Sequence, residues 1–174
     1  MVKIQIIYYS KYGSTKEIAQ AIGRKLKTAT VVDVRELKEI TGDVLVIGSA
    51  IYSEVPHKDI ERLLLDKEKQ LQDKPVALFV VCLRKTYITS KIGEGGGPVY
   101  IKKMERALGR PPVASMIFGG RMIVNELDAE DRERTESFAK RQGMPFKDVN
   151  VMADSEVDEL IEDITTKTAG MSYN

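Results

Sequence analysis

The sequence predicts an α/β fold, a three-layer protein in which a doubly wound sheet of five parallel strands lies between two layers of helices. Short, almost wholly apolar segments recur along the chain, as is typical of strands covered on both faces. Between them, apolar residues recur at the three- and four-residue spacings of a helix. Strands that alternate with helices are joined by right-handed crossovers and therefore lie parallel in one sheet. The 174 residues, of which 43% are hydrophobic, fit a single domain over residues 1–174.

Each helix is recognised by an apolar face and by its first residues. Ser14 followed three residues later by Glu17 is typical of a capping box, in which each side chain satisfies a free backbone donor of the other residue. The last helix is predicted to begin with Asp154 or Ser155 as its cap. The remaining elements are predicted as a helix after Pro56, a helix over residues 99–108, and strands over residues 2–9, 28–34, 43–51, 75–83 and 112–119.

Two regions fit this alternation less well. Residues 84–98 contain the glycine-rich segment 93–97, which has too many glycines to hold one conformation alone. We interpret residues 84–98 either as a lid or as a flexible connector. Residues 128–142 are heavily charged, with Phe138 as the main large apolar residue, and are predicted to form a solvated helix outside any functional site.

Composition excludes several classes of protein. Lys and Arg residues nearly balance Asp and Glu residues, leaving a formal net charge of +1, so no global field attracts nucleic acid. No apolar segment approaches the roughly 20 residues that span a bilayer. Cys82 is the only cysteine, and no signal peptide precedes the first strand, so we expect a cytoplasmic protein without an internal disulfide. One histidine and one distant cysteine do not give metal-ligand spacing, and no metal site is predicted.

The turn after the first strand has the composition of a phosphate site. Ser10, Tyr12, Ser14 and Thr15 offer four hydroxyls around Gly13. The helix that follows directs the positive end of its dipole at the same point. A simple helix cap needs one hydroxyl, so four hydroxyls favour an anionic ligand. The alternative interpretation is a capped helix start that binds no ligand.

This turn resembles the phosphate-binding loop of the flavodoxin family, whose usual form is Ser/Thr-x-Thr-Gly-x-Thr. Ser10, Gly13 and Thr15 match that pattern, while Tyr12 replaces the usual Thr. The resemblance implies flavin mononucleotide (FMN) as the cofactor and the strand order 2-1-3-4-5. It also implies a site beyond the carboxyl ends of the strands, where the strand order reverses. The cofactor-binding residues predicted on this basis are Ser10, Lys11, Tyr12, Gly13, Ser14, Thr15, Ala50, Ile51, Tyr52, Cys82, Leu83, Arg84, Lys85, Tyr87, Gly119, Gly120 and Arg121.

A flavin ring needs a stacking wall as well as backbone donors and acceptors. Tyr52 follows the third predicted strand and Tyr87 follows the fourth, so both are candidates for this wall. The chain has no tryptophan, and one face of the flavin is therefore expected to be open to a substrate. Arg84 and Arg121 end candidate strands, where a cation could stabilise reduced flavin or hold an acidic substrate. His57 is expected to be exposed or locally hydrogen-bonded.

A second resemblance is to the flavodoxin-domain group that contains the menaquinone-dependent protoporphyrinogen dehydrogenases. It rests on Gly48–Tyr52, on the strand over residues 75–83 with the insertion after it, and on residues 117–121. It implies an FMN-dependent oxidoreductase that transfers electrons to or from a small or quinone-like acceptor. The sequence carries no residue signature for a porphyrin.

Two other functions compete with this oxidoreductase. The alternative is a flavodoxin-type electron carrier that acts only through protein redox partners. Near-neutral charge favours the enzyme, because carriers of this family are strongly acidic, whereas the lack of a recognised substrate site favours the carrier. A response-regulator-like domain is disfavoured, because Tyr8, Tyr9 and Ser10 stand where such domains carry acidic magnesium ligands. The resemblance is also compatible with a homodimer.

Overall fold

The protein is built around one parallel sheet. The computed structural model describes residues 2–90 and 93–170. Their strands are β1 (Ile4–Tyr9), β2 (Ala29–Asp33), β3 (Val44–Tyr52), β4 (Val55–Pro56), β5 (Val76–Cys82), β6 (Ile88–Ser90), β7 (Gly93–Gly95), β8 (Ala114–Gly119), β9 (Arg121–Met122) and β10 (Val149–Asn150). The long strands lie parallel in the order β2-β1-β3-β5-β8, with β4 antiparallel to the end of β3. Counted without the short strands, this is the order 2-1-3-4-5, and the predicted doubly wound fold is confirmed.

The register of the sheet brings the ends of its strands together. Tyr9, the last residue of β1, lies opposite Ser49 of β3. Cys82, the last residue of β5, lies opposite Gly119, the last residue of β8. The loops that follow these strands therefore leave from one edge of the sheet, which is where ligands bind in open α/β folds.

Helices cover both faces of the sheet. They are α1 (Ser14–Lys25), α2 (Lys58–Asp66), α3 (Glu68–Leu71), α4 (Gly97–Leu108), α5 (Ala129–Arg141) and α6 (Ser155–Thr168). One core contains Ile22 of α1 and Leu160 of α6, and the opposite core contains Leu64 of α2 and Met104 of α4. No helix of the described residues is long and apolar enough to cross a membrane.

The predicted capping box at the start of α1 is wrong. Gly13 is the N-cap residue, with φ 99°, and within residues 2–90 no side chain caps this helix. The Ser14 hydroxyl instead accepts a hydrogen bond from the Arg121 N–H at 3.1 Å, and it donates one to the Arg121 carbonyl at 3.2 Å. Glu17 pairs with the Arg121 guanidinium. Both side chains tie α1 to the start of β9, so neither is left to cap the helix.

The glycine-rich segment packs closely against its own loop. β6 and β7 form an antiparallel hairpin, and β7 opens directly into α4. Gly97 N–H donates to the Arg84 carbonyl at 2.9 Å. A Cβ atom on Gly96 would come within 2.0 Å of the Thr86 carbonyl oxygen. Gly96 and Gly97 thus allow close backbone contacts, which a loose connector would not need. Residues 91 and 92 of the predicted region lie outside the described residues.

A separate segment leaves the sheet after β9 and returns to the same place. β9 pairs antiparallel with β10, with Met122 opposite Val149. Residues 123–148, which we call the excursion, are closed at their base by this pairing and by a hydrogen bond from Val124 N–H to the Asp148 carboxylate at 2.8 Å. The excursion carries α5, in which, over its fully described length, only Ala139 is buried. The predicted solvated helix is confirmed as an element.

Candidate functional site

An open cleft lies at the carboxyl edge of the sheet, between the loops that follow β1, β3, β5 and β8. Its empty volume is about 800 Å³ when the open solvent at its mouth is included. Most of the predicted site residues line it: Ser10, Tyr12, Ser14, Thr15, Ala50, Ile51, Tyr52, Cys82, Leu83, Gly120 and Arg121.

The loop Ser10–Thr15 presents an uncapped helix end to this cleft. Gly13 N–H donates to the Ser10 hydroxyl at 3.0 Å, which fixes the shape of the loop. Because no side chain within residues 2–90 caps α1, the N–H groups of its first turn remain available to an anion. Thr15 is only 1% exposed, and its hydroxyl has no partner among the described residues. The loop thus offers backbone donors and a free hydroxyl at the positive end of a helix.

Lys11 and Tyr12 turn toward α5. The Lys11 ammonium pairs with Asp128 at 2.6 Å and with Asp131 at 2.5 Å. The Tyr12 hydroxyl donates to Asp131 at 2.5 Å and accepts from Asp128 N–H at 3.3 Å. Hydrogen bonds to these two carboxylates raise the pKa of Lys11. Lys11 is therefore protonated and paired with carboxylates, and the Tyr12 hydroxyl bonds α5 at the position where the family pattern has a Thr.

Tyr52 forms a fixed aromatic wall. Its hydroxyl accepts a hydrogen bond from Lys11 N–H at 3.0 Å, and its ring meets that of Tyr9 edge to face at a centroid distance of 6.2 Å. Burial raises the pKa of Tyr52 to about 12, so the phenol is neutral at physiological pH. Tyr52 thereby joins the loop after β3 to the loop after β1.

A stacked pair supports this wall from behind. The His57 and Tyr9 rings are parallel within 3°, with centroids 3.4 Å apart. The Arg35 guanidinium lies 4.9 Å from the centroid of the Tyr9 ring. His57 Nδ1 accepts from Asp59 N–H at 3.3 Å at the start of α2. His57 thus makes the local hydrogen bond expected from the sequence, and burial lowers its pKa.

Some predicted site residues lie away from the cleft, because the segment after β5 turns outward. The Arg84 guanidinium contacts the Met144 sulfur at 3.3 Å, and Lys85 pairs with Glu156 of α6. Tyr87 is half exposed on the hairpin and interacts with Glu94. Among the described residues, the cleft lining also excludes Lys11, Gly13 and Gly119.

Cys82 is a buried thiol at the end of β5. It is 6% exposed, and its Sγ–H donates to the Arg84 carbonyl at 3.1 Å. Burial raises its pKa to about 11, so the thiol is protonated and weakly nucleophilic at neutral pH. No three His, Cys, Asp or Glu side chains of the described residues are grouped to hold a metal ion.

Sequence reasoning missed one wall of the cleft. Asp131, Arg134 and Thr135 of α5 line it, although the charged sequence of α5 predicts a solvated helix outside any site. The β9–β10 pairing closes the base of the excursion, and Asp128 and Asp131 join α5 to the loop after β1. The other lining residues not predicted are Ser53, Val81, Met122, Ile123 and Leu127.

A model of the flavodoxin domain family matches residues 5–147. The chain belongs to this family. The match includes the phosphate-loop candidate, the strands β1 to β9 and almost all of the excursion. No curated protein is significantly similar to this flavodoxin domain in sequence.

Solved structures share the fold of this flavodoxin domain. A Fusobacterium nucleatum flavodoxin bound to flavin mononucleotide aligns over 96% of this chain and 99% of its own, with 14% identity and a TM-score of 0.58. A Lactobacillus acidophilus flavoprotein in complex with FMN covers 67% of this chain and 93% of its own, with 18% identity and a TM-score of 0.53. The rubredoxin oxygen:oxidoreductase of Desulfovibrio gigas aligns with 97% of this chain but over 37% of its own length, with 14% identity and a TM-score of 0.52.

Proposed function

We propose that this flavodoxin domain binds FMN in the cleft and transfers electrons to or from a small or quinone-like acceptor. The observation that carries the proposal is the uncapped amino terminus of α1, which opens into the cleft through the loop Ser10–Thr15. An uncapped helix end with free donors fits a phosphate monoester. The FMN complexes of two structures with the same fold support the choice of cofactor.

The residues of the cleft fit the parts of FMN. The first-turn N–H groups of α1 and the Thr15 hydroxyl would hold the phosphate. A Cβ atom on Gly13 would meet nothing within 4 Å, so the space in front of the loop is open. The neutral ring of Tyr52 would provide an apolar wall for the flavin ring.

When bound, FMN supplies the electron transfer itself, because a flavin accepts and releases electrons reversibly. The protein's residues position it and limit access to it. Tyr52, tied to Lys11 N–H, keeps one wall of the cleft in place. Burial raises the pKa of the Cys82 thiol to about 11, so the thiol stays protonated at neutral pH.

A flavodoxin-type electron carrier is the second candidate. It is favoured by the lack of a recognised substrate site in the sequence. The net charge of +1 favours the enzyme, since it gives no strong field for docking on a basic partner. The cytoplasmic location stays a prediction from the sequence, a homodimer stays compatible with it, and the sequence carries no residue signature for a porphyrin substrate.

The first experiment identifies the cofactor. The purified protein is denatured, and the released chromophore is separated by chromatography against FMN, FAD and riboflavin. We expect FMN in a ratio near one per chain. A colourless protein that fails to take up added FMN would mean that the loop Ser10–Thr15 is only a helix start.

A second experiment separates the enzyme from the carrier. FMN-loaded protein is mixed with NADH or NADPH and with menadione, and steady-state turnover is measured with and without a flavodoxin reductase. The enzyme would turn over without the reductase. Turnover that depends wholly on the added reductase would identify the carrier.

A further inference from the structure

The cations at the cleft differ in how firmly they are bound to acidic partners. Lys11, beside the cleft, pairs with two carboxylates. Arg121 lines the cleft, but both of its terminal nitrogens bind the two oxygens of Glu17. Such a two-pronged pair is strong and directional. Neither Lys11 nor Arg121 is therefore easily recruited by another anion.

Arg134 is bound much more loosely. One terminal nitrogen of Arg134 contacts Glu130, one turn earlier on α5, at 2.5 Å, but the Glu130 side chain is 78% exposed. An exposed pair of this kind contributes little to stability. The other terminal nitrogen donates to the Ser53 hydroxyl at 2.8 Å. Ser53 is a neutral acceptor, so the second bond of Arg134 lacks a charged partner.

The contact with Ser53 places the Arg134 guanidinium between two walls of the cleft. Arg134 belongs to α5, and Ser53 follows β3; both line the cleft. Ser53 and Glu54 form a turn with positive φ values of 52° and 66°. Two side chains of α4 hold this turn: Lys103 donates a hydrogen bond to the Glu54 carbonyl at 2.8 Å, and Tyr100 donates one to the Glu54 carboxylate. The acceptor of Arg134 therefore stands on a fixed turn, and a molecule entering between the two walls meets the guanidinium.

We infer that Arg134 is a specificity-determining residue that binds the anionic group of an acidic, quinone-like electron acceptor. A carboxylate or sulfonate would replace the Ser53 hydroxyl as the hydrogen-bond acceptor, and the charge-assisted bond is the stronger one. Reduced FMN, when bound, would supply the two electrons and two protons that convert the quinone to the hydroquinone and would itself become oxidised FMN, while Arg134 keeps its own proton and charge. This inference rests on the proposed function, and it names the substrate class for the same cleft.

Binding of two redox-inert probes tests the inference without turnover. The probes are 2-naphthoate and its neutral counterpart 2-naphthamide, titrated into oxidised, FMN-loaded protein by calorimetry. We expect the wild-type protein to bind the anion about tenfold more tightly than the amide. Arg134→Gln should remove this preference by weakening the anion alone. Arg134→Lys keeps the charge and should retain part of the preference.

Two further variants control for net charge and for folding. Arg141→Gln makes the same substitution in the last turn of α5, outside the cleft lining of the described residues, and should leave the preference unchanged. Glu130→Gln removes the competing partner of Arg134 and should increase the preference about twofold. FMN content and melting temperature, measured on each variant, show that the fold is retained.

The same variants are then compared in turnover. The value of kcat/KM for a sulfonated naphthoquinone should fall about tenfold in Arg134→Gln, while that for unsubstituted naphthoquinone stays within about twofold of the wild type. Equal binding of the two probes by the wild type, or an unchanged preference in Arg134→Gln, would overturn the inference while leaving the proposed function intact. A protein that binds no FMN would instead refute the proposed function before any probe is added.

Discussion

Gly13 is the residue whose backbone the candidate phosphate loop needs most. Its φ of 99° lies in the region that L side chains rarely adopt, and it is the N-cap of α1. A Cβ atom there would meet no atom within 4 Å, so a substitution acts through backbone strain and not through a clash with the protein. This strain would distort the loop that precedes α1 and would change the direction of the first N–H groups of the helix toward the cleft.

We therefore expect Gly13→Ala to weaken FMN binding about tenfold or more, with a stability loss of about 1–2 kcal/mol. Fluorescence titration of the apoprotein with FMN and a urea denaturation series measure the two effects. Gly109→Ala is the matched control, because Gly109 also has a positive φ, 74°, and open space around its Cβ, but it ends α4. It should lose similar stability and bind FMN normally. Equal FMN affinity in both variants would contradict the role of Gly13.

His57, the only histidine, gives the protein a defined response to mild acid. Burial lowers the pKa of the folded imidazole below its ordinary 6.5. As the pH falls through 6.5, His57 becomes protonated in the unfolded chain while the imidazole of the folded protein is still neutral. The stabilising contribution of neutral His57 is thus complete above 6.5 and is lost progressively below it, until the folded group also becomes protonated.

We predict that the free energy of unfolding falls between about pH 7 and about pH 5.5, by at most about 1.4 kcal/mol per pH unit. Urea denaturation at both pH values measures it, and the imidazole C2 proton resonance reports the pKa directly. His57→Asn keeps an acceptor for Asp59 N–H and should make the stability nearly constant over this interval. The lowered pKa of Asp33, whose ordinary value is 3.8, acts at more acidic pH and does not interfere. An NMR pKa above 6.5 would disprove the prediction.

Among the elements, α5 is weakly packed against the rest of the protein, yet it forms one wall of the candidate site. Only Ala139 of this fully described helix is buried, so its position depends mainly on polar contacts. Asp128 and Asp131 bind Lys11 and Tyr12 of the candidate phosphate loop. Exposed ion pairs contribute about 0–1 kcal/mol each, so these contacts hold a local element more than they stabilise the whole fold.

Asp131→Asn should loosen α5 without unfolding the protein. We expect faster amide hydrogen exchange over residues 129–141, together with a change in global stability below about 1 kcal/mol. Mass spectrometry of peptic fragments resolves the exchange by segment. Asp158→Asn, which breaks the exposed pair between Lys25 of α1 and Asp158 of α6, is the control. It should leave exchange in α5 unchanged; faster exchange of α5 in both variants, or in neither, would contradict a local role for Asp131.

At the scale of the whole molecule, the sheet and most of the cleft follow from the sequence. Buried parallel strands are apolar along their whole length, and parallel pairing brings their carboxyl ends together, so the residues after β1, β3 and β5 had to meet. The contacts that the sequence could not reveal join distant residues. Glu17 pairs with Arg121, 104 positions later, and Tyr12 bonds Asp131, 119 positions later. Local patterns specify a helix cap or a solvated helix at these places, whereas tertiary folding gives the side chains other partners.

If the loop Ser10–Thr15 binds a phosphate, FMN must stabilise the whole fold more than riboflavin, which shares the ring but lacks the phosphate. A ligand at about 100 times its dissociation constant adds about 2.7 kcal/mol to the stability of the folded state. For a chain of this length, each kcal/mol raises the melting temperature by about 2–4 °C. We therefore expect FMN to raise it by about 5–11 °C, and the same concentration of riboflavin to raise it much less.

The variant Thr15→Val distinguishes the contribution of the FMN phosphate to the melting temperature from that of the flavin ring. The substitution removes the Thr15 hydroxyl, which has no partner among the described residues, and keeps the shape of a side chain that is only 1% exposed. The melting temperature with FMN should fall toward the value with riboflavin, while the value with riboflavin stays the same. A variant in which both ligands lose the same stabilisation would show that Thr15 supports the cleft as a whole and makes no specific contact with the phosphate.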